Sequence, residues 1–210
     1  MSRTTTPGPR EARKQQTRQA MLDAALGLLE EQSLSSIGLR EVTRAVGITP
    51  AAFYRHFRDI PDLGVALVDQ ALGSLHVLVQ ALLTEQDGPQ QRIDTTVDLI
   101  RGYVADHPAH VRFVASERHG GVREVRQAIA VELETFIQEV ADTLATDPGA
   151  DSWSAGELRM LAGLFVDQMV QTACSFLSAE LGEGPAADEV AATARDRMTL
   201  VELGRRHWRP

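Results

Sequence analysis

The segment 39-LREVTRAVGITPAAFYRHF-57 has the pattern of two short helices around a tight turn. Three apolar residues recur at helical spacing in its first half and give the first helix one apolar face: Leu39, Val42 and Val46. Gly47 is placed to end that helix, because glycine adopts the left-handed backbone of a C-terminal cap at little cost.

The second half of this segment predicts a new helix with polar side chains. Thr49 is a favourable N-cap, and Pro50 suits the first helical position because its missing N–H would be unpaired there in any case. Tyr54, Arg55 and His56 follow within one turn. A helix, a glycine turn and a polar second helix are typical of a helix-turn-helix, whose second helix enters the major groove of DNA.

The remaining sequence predicts helices and no strands. A first helix is expected over about 11–32, and a long helix opens at Pro61, with Asp59 as its N-cap, and runs to the turn at 87–89. Later helices are expected over about 90–106, 108–117, 121–146, 154–181 and 186–206, and no segment alternates with period two as strands do. We predict an all-α fold of about nine helices, with a disordered arm at 1–10, a three-helix helix-turn-helix DNA-binding domain at 11–60 and a helical effector-binding and dimerisation domain at 61–210.

Composition argues against several classes of protein. Hydrophobic content of 43% and charged content of 24% are ordinary for a soluble globular chain. No apolar run reaches the roughly 20 residues of a membrane span, and the N-terminus lacks the apolar core of a secretory signal. We therefore expect a cytoplasmic protein with no membrane partner.

The sequence also gives no sign of catalysis or of a bound metal. The single Cys174 leaves no intrachain disulfide, and no Cys/His cluster has the spacing of a zinc site. No nucleophile–base pair or glycine-rich phosphate loop indicates an enzyme. We therefore assign no catalytic residue, metal ligand or cofactor.

Charge is distributed unevenly along the chain. The net charge is −8, yet residues 1–58 carry nine Arg and Lys side chains against five acidic ones. The rest of the chain carries 12 basic and 24 acidic side chains. This asymmetry favours a basic N-terminal head, residues 1–58, that binds DNA. The acidic remainder of the chain, the body, would be repelled by the DNA phosphates.

The motif LREVTRAVGITPAAFYRHFRD resembles that of the TetR family of transcriptional repressors. The resemblance covers about residues 14–70, and its matching positions include Ala24, Ala25, Val42, Ala45, Gly47, Tyr54, Phe57, Asp62 and Leu63. It implies a homodimer that binds a palindromic operator in double-stranded DNA. It also implies that the C-terminal helices bind a small effector and pair with the partner chain.

A further likeness lies outside the head. The stretch 113-FVASERHGGVREVRQAIAVELETFIQEVADTL-144 is similar to the subgroup of this family that represses unsaturated fatty-acid synthesis and senses long-chain acyl-CoA. It implies control of fatty-acid or lipid metabolism genes. Two alternatives remain open: a sensor of small hydrophobic drugs that controls an efflux pump, and a helical scaffold that does not contact DNA.

Nine residues of the head are candidates for DNA contact: Lys14, Arg40, Thr43, Thr49, Ala51, Ala52, Tyr54, Arg55 and His56. Arg55 suits a bidentate contact with guanine, and Thr49 lies at a helix N-terminus, where a phosphate is favoured. The resemblance implies that Tyr54 and His56 donate hydrogen bonds to phosphates.

The body offers candidates for an effector site and for a dimer interface. Apolar and aromatic residues expected between its helices are Leu75, Val79, Leu99, Tyr103, Phe113, Phe136, Val140, Phe165 and Met169. Arg118 and Arg123 belong to a basic cluster at 112–126 that suits the phosphates of CoA, although salt bridges with nearby acids are an alternative use of these arginines. The last two helices carry enough apolar surface for a four-helix bundle between two chains.

Overall fold

The computed structural model describes residues 8–84, 88–147 and 150–208, and this part of the chain forms nine α-helices, one short 3-10 helix and no strand. The prediction of an all-α fold is confirmed. The helices are α1 (Pro9–Leu28), α2 (Leu39–Val46), α3 (Pro50–Phe53), α4 (Ile60–Thr84), α5 (Pro89–Asp106), α6 (Pro108–Glu117), α7 (Arg123–Leu144), α8 (Ala155–Glu180) and α9 (Ala187–His207), with the 3-10 helix at Ala150–Ser152.

Local chemistry sets the helix boundaries of the head. Gly47 has φ 74° and ends α2 in the left-handed conformation, which a side chain would strain. The Thr49 hydroxyl caps α3 by accepting a hydrogen bond from the Ala52 amide at 3.3 Å. The Asp59 carboxylate caps α4 by accepting from the Asp62 amide at 2.8 Å.

Three predicted boundaries in the head were wrong, and one of them is the end of α1, which lies at Leu28 rather than near 32. Helix α1 begins at Pro9, so residues 9–10 are helical, whereas residues 1–7 of the predicted arm lie outside the described residues. Helix α3 ends at Phe53, and 54–56 form a tighter turn in which the His56 amide donates to the Phe53 carbonyl at 2.9 Å. This i→i+3 bonding is that of a 3-10 helix, which is narrower than an α-helix. We call the exposed end of the helix-turn-helix, formed by Arg40 and residues 49–56, the polar tip.

The core of the head is continuous with that of the body. One apolar cluster joins α1, α2 and α3 to α4, α6, α7 and α8. Its most buried large side chains, each at most 1% exposed, include Met21, Phe53, Leu63, Phe113 and Ile129. A second cluster joins α5, α6, α8 and α9. Since a fully buried side chain of this size stabilises the fold by about 1.5–3 kcal/mol, the head packs firmly on the body.

Two contacts fix the head against the body. Gly64 of α4 lies so close to both parts that a Cβ there would be 2.5 Å from Leu34 Cδ2 and 2.7 Å from Val125 Cγ2. Glu117, at the end of α6, is 1% exposed and accepts a hydrogen bond from the Leu34 amide at 2.9 Å. The loop between α1 and α2 is therefore tied both to α4 and to α6.

Candidate nucleic-acid interface and ligand cavity

The polar tip of the helix-turn-helix faces solvent. Arg40, Thr49, Ala51 and Arg55 are exposed, as is Tyr54 at 62%. Beneath them the buried Phe53 ring meets the Tyr54 ring edge-on, with centroids 5.9 Å apart. The tyrosine ring is thus supported by the core while its side chain remains accessible.

A basic cleft flanks this tip where α1 approaches it. Lys14 and Arg18 of α1 line the cleft together with Arg55 and the half-buried His56. The Arg18 guanidinium lies 4.8 Å from the centroid of the Phe57 ring, a cation–π geometry that holds this charge beside the tip. Arg18 is not among the nine candidate contacts named above, and its place in this cleft adds it to the candidate interface.

Among the titratable groups of this cleft, which Glu11 also lines, His56 is the one whose ordinary pKa lies closest to neutral pH. Partial burial lowers the pKa of its imidazole, and the charges of Lys14, Arg18 and Arg55 lower it further. Its Nδ1 is buried and has no hydrogen-bond partner among the described residues. A phosphate placed in the cleft would reverse the electrostatic effect, since an anion favours the protonated ring.

Two other predicted DNA contacts are less accessible. Ala52 is half-buried. Thr43 is only 4% exposed, and its hydroxyl donates to the Arg40 carbonyl at 3.2 Å. The expectation that Thr43 reaches DNA is therefore corrected, because its side chain packs beneath the tip.

A cavity of about 100 Å³ lies among α4, α5, α6, α7 and α8. Seven of the predicted lining residues are on its wall: Leu75, Val79, Leu99, Tyr103, Phe136, Val140 and Met169. A second cavity of about 80 Å³ shares four wall residues with the first: Val79, Thr96, Val140 and Met169. The two cavities are therefore adjacent along α5 and α7.

Two predicted aromatic residues are placed elsewhere. Phe165 lines the second cavity, which also reaches Arg92 and Glu202. Phe113 belongs to the core between head and body and lines neither of the two cavities. Its position on α6 puts it on the side of that helix that faces the head.

The polar side chains of the first cavity are few. The Tyr103 hydroxyl donates to the Ala71 carbonyl, and burial raises the pKa of Tyr103 to about 12. The Thr96 hydroxyl donates to the Arg92 carbonyl at 2.7 Å. His110 also lines the cavity, and its Nε2 is buried without a hydrogen-bond partner in the described part of the chain.

Sequence reasoning missed His110. The signal was its spacing, since His110, Val111, Val114 and Ala115 fall on one face of α6 and line the cavity together. This spacing places His110 on the apolar face of α6, but it does not indicate which helices or which cavity that face meets.

The basic cluster at 112–126 lies outside the cavity wall. Arg118 is half-buried near Cys174, where burial raises the pKa of the thiol and the charge of Arg118 opposes that rise. Arg123 is exposed at the start of α7, and Arg126 donates to the Gly120 carbonyl. Within 8–84, 88–147 and 150–208, no ion pair joins the arginines of this cluster to a carboxylate.

Helices α8 and α9 leave an apolar face exposed. Its large side chains are Met160 (51% exposed), Leu164 (49%), Leu200 (70%) and Leu203 (47%). Helix α8 is long and apolar enough to span a membrane by length and composition, but it packs against α5, α6, α7 and α9 in the body. Such a face on a folded chain is typical of a protein interface.

Comparison with known proteins agrees with this architecture. Residues 21–67 match the family described as bacterial regulatory proteins, tetR family. The chain is similar to the fatty acid degradation regulator FadR from Bacillus halodurans, with a TM-score of 0.70, 13% identity and coverage of 94% of this chain and 96% of that one. It is also similar to the transcriptional regulator FadR from Bacillus subtilis, whose structure is in complex with stearoyl-CoA, with a TM-score of 0.69, 13% identity and coverage of 87% and 96%.

The regulatory protein TetR from Rhodobacter sphaeroides is similar as well, with a TM-score of 0.64, 24% identity and coverage of 87% of this chain and 97% of that one. At these identities the solved structures show a shared fold, while the match over 21–67 concerns the sequence of the head itself. The head therefore matches the tetR family over residues 21–67, and the described part of the chain shares the all-helical fold of these solved regulators.

Proposed function

We propose that the chain acts in the cytoplasm as a homodimeric repressor, whose affinity for a palindromic operator changes when a long-chain acyl-CoA occupies the cavity. The observation that carries this proposal is an apolar cavity in the body, walled by the helices α4 and α6 that also hold the head. Genes of fatty-acid or lipid metabolism are the expected targets.

The head supplies the DNA-binding half of the function. In a dimer, the two tips enter successive major grooves about 34 Å apart. Arg55 is suited to read guanine, whereas Lys14, Arg40, Thr49, Tyr54 and His56 bind phosphates. The small Ala51 and Ala52 let the tip approach the bases closely.

The body suits a ligand with a long apolar chain and an anionic head group. The adjacent cavities run along α5 and α7, and their walls are mainly apolar. The arginines at 112–126, which show no ion pair in the described part of the chain, are available to phosphates through Arg118 and Arg123. The stearoyl-CoA in the B. subtilis FadR structure is a ligand of this class.

The size of the cavities suggests how binding is coupled to DNA affinity. At about 100 and 80 Å³, both are smaller than ligand pockets of roughly 300–1,000 Å³. A bound acyl chain must therefore displace the walls, including α4 and α6. Because these helices carry Gly64 and Glu117, the displacement tilts the heads and changes their separation. A ligand can act in this way only if its affinity differs between the two separations.

The proposal is tested by titrating the protein onto duplexes selected from genomic DNA, with and without palmitoyl-CoA. We expect palmitoyl-CoA to change operator affinity at a fixed salt concentration. Arg118→Ala and Arg123→Ala should weaken palmitoyl-CoA binding. The matched control is Arg101→Ala, because Arg101 is on the body but already pairs with Asp188 at 2.8 Å. Unchanged palmitoyl-CoA affinity in both test variants would refute the role of the basic cluster.

A sensor of small hydrophobic drugs is the second candidate. The small volume of the cavity favours it, because a compact ligand would need less displacement of the walls. Such a ligand would bind equally well to the wild type and to the Arg118→Ala variant. Release of the operator by small hydrophobic compounds, with no response to palmitoyl-CoA, would support this candidate instead.

A further inference from the structure

We propose that His110 donates a hydrogen bond to the thioester carbonyl of the effector and thereby sets the direction in which the acyl chain lies in the cavity. This inference rests on the proposed function, since it names the group that binds one part of the same ligand. The wall, the ring and the surrounding charges each support it.

The wall of the cavity leaves few donors for a ligand. The hydroxyl protons of Tyr103 and Thr96 are already given to the carbonyls of Ala71 and Arg92. Cys174 offers only a thiol, which is a weak donor. His110 Nε2 is buried and has no partner among the described residues, although buried polar nitrogens are nearly always hydrogen-bonded. A ligand that opens the wall can supply the missing acceptor.

The neutral form of the His110 imidazole suits an uncharged hydrogen-bond acceptor. Burial lowers the pKa of His110, the neighbouring His107 lowers it further, and Asp23 of α1 opposes the shift. A neutral imidazole carries one N–H and can donate it without placing a charge in the cavity. The ring lies edge-on to His107, with centroids 5.7 Å apart. A thioester carbonyl is an uncharged acceptor of the kind that this donor fits.

The arginines near the two ends of the paired cavities differ in whether they already bind a carboxylate. Cys174 on the wall of the first cavity is close enough to Arg118 to feel its charge, and Arg118 shows no ion pair in the described ranges. His110 lies about two helical turns before Arg118 along α6, on the same wall. At the other end, Arg92 makes three hydrogen bonds of 2.8–3.0 Å to Asp147. Phosphates would have to displace that carboxylate at Arg92 but not at Arg118. With the carbonyl at His110, CoA leaves past Arg118 and the acyl chain extends along α5 towards Met169.

A pair of ligands that differ only at the carbonyl tests this assignment. Palmitoyl-CoA has the thioester, whereas S-hexadecyl-CoA replaces it with a thioether that has no carbonyl oxygen. In the wild type we expect palmitoyl-CoA to bind about tenfold more tightly, the effect of one hydrogen bond. In His110→Phe, which keeps an aromatic ring but loses the donor, the ratio should fall to about one.

Two further variants separate the role of the donor from a general effect on the fold. His110→Gln keeps an N–H donor and should retain most of the preference. His107→Phe makes the same change at the exposed neighbour and should leave the preference unaltered. If His110→Phe fails to fold, the wild-type ratio and the glutamine variant still decide the question.

The outcomes distinguish this inference from the proposed function. If the wild type binds both ligands equally well, the role of His110 is overturned while the acyl-CoA assignment stands. If the wild type binds neither ligand, the proposed function itself fails. If His110→Phe keeps the tenfold preference, another donor binds the carbonyl and the assignment is likewise overturned.

Discussion

Tyr54 and Arg55 are neighbours on the polar tip but have different chemistry. Arg55 is exposed and carries a planar donor fork that matches guanine, whereas Tyr54 offers one hydroxyl on a ring supported by Phe53. We expect Arg55→Ala to relax sequence choice, losing about 1–3 kcal/mol of discrimination at one base position. Tyr54→Phe should weaken binding to all sites about equally. Affinities for a selected operator and its single-base variants, measured at one salt concentration, check both; equal loss of specificity in both variants would contradict these roles.

His56 should make operator binding depend on pH. In the DNA-free protein, the pKa of His56 is lowered by burial and by the charges of Lys14, Arg18 and Arg55. A phosphate bound beside the ring raises this pKa. Binding therefore takes up a proton, so operator affinity should rise as pH falls through the window around and below the ordinary histidine pKa of about 6.5. His56→Gln should flatten this part of the profile. A variant with the same slope as the wild type would place the proton uptake elsewhere.

For single residues, the position in the motif predicted exposure or burial better than the type of side chain did. The exposed Arg55 and Tyr54 follow from the motif, because a polar run after an N-cap must face outwards when Phe53 and Phe57 face inwards. Thr43 was misplaced because a threonine on a short helix can equally satisfy its hydroxyl on the Arg40 carbonyl of its own helix. The surroundings of His110 depend on α4, α5 and α8, which no local pattern brings together.

At the scale of elements, prolines at the starts of helices made the helix boundaries of the body predictable. Prolines at the starts of α5 and α6 fix those helices to within a residue of the prediction, because proline suits a first turn. Helix α1 was placed less well, since its end depends on the turn at 29–33 rather than on a glycine or proline. The early end of α3 at Phe53 reflects the tight turn that brings Phe57 into the core, which spacing alone does not indicate.

The contact between α6 and the α1–α2 loop should contribute measurably to stability. Glu117→Ala leaves the Leu34 amide buried without an acceptor, which costs about 1–3 kcal/mol. Glu117→Gln keeps an acceptor oxygen for the Leu34 amide, so its cost should be smaller. Urea unfolding with an unchanged m-value measures both. The control is Glu124→Ala, an exposed change on α7 expected to stay within about 0.5 kcal/mol of the wild type; equal stability of both alanine variants would contradict the role of Glu117.

At the scale of the whole molecule, the exposed face of α8 and α9 should hold two chains together. Leu200 is 70% exposed and lies beside Leu164 in a shallow groove between these helices. We expect Leu200→Glu to raise the dimer Kd by about 100-fold or more, because two-fold symmetry buries the new charge twice. Analytical ultracentrifugation measures the effect. Val131→Glu is the matched control on α7, where Val131 is 64% exposed, and equal dissociation in both variants would argue against this interface.

The close approach at Gly64 bears on the kind of operator that such a dimer tolerates. Because Leu34 and Val125 both pack closely against Gly64, a head cannot rotate relative to α4 and α7 to follow a displaced half-site. One base pair inserted between the half-sites turns the far half by roughly 35° and moves it about 3.4 Å along the axis. In each ligand state, the dimer should therefore hold its two heads at one separation and lose cooperative binding to an operator whose half-sites are one base pair further apart.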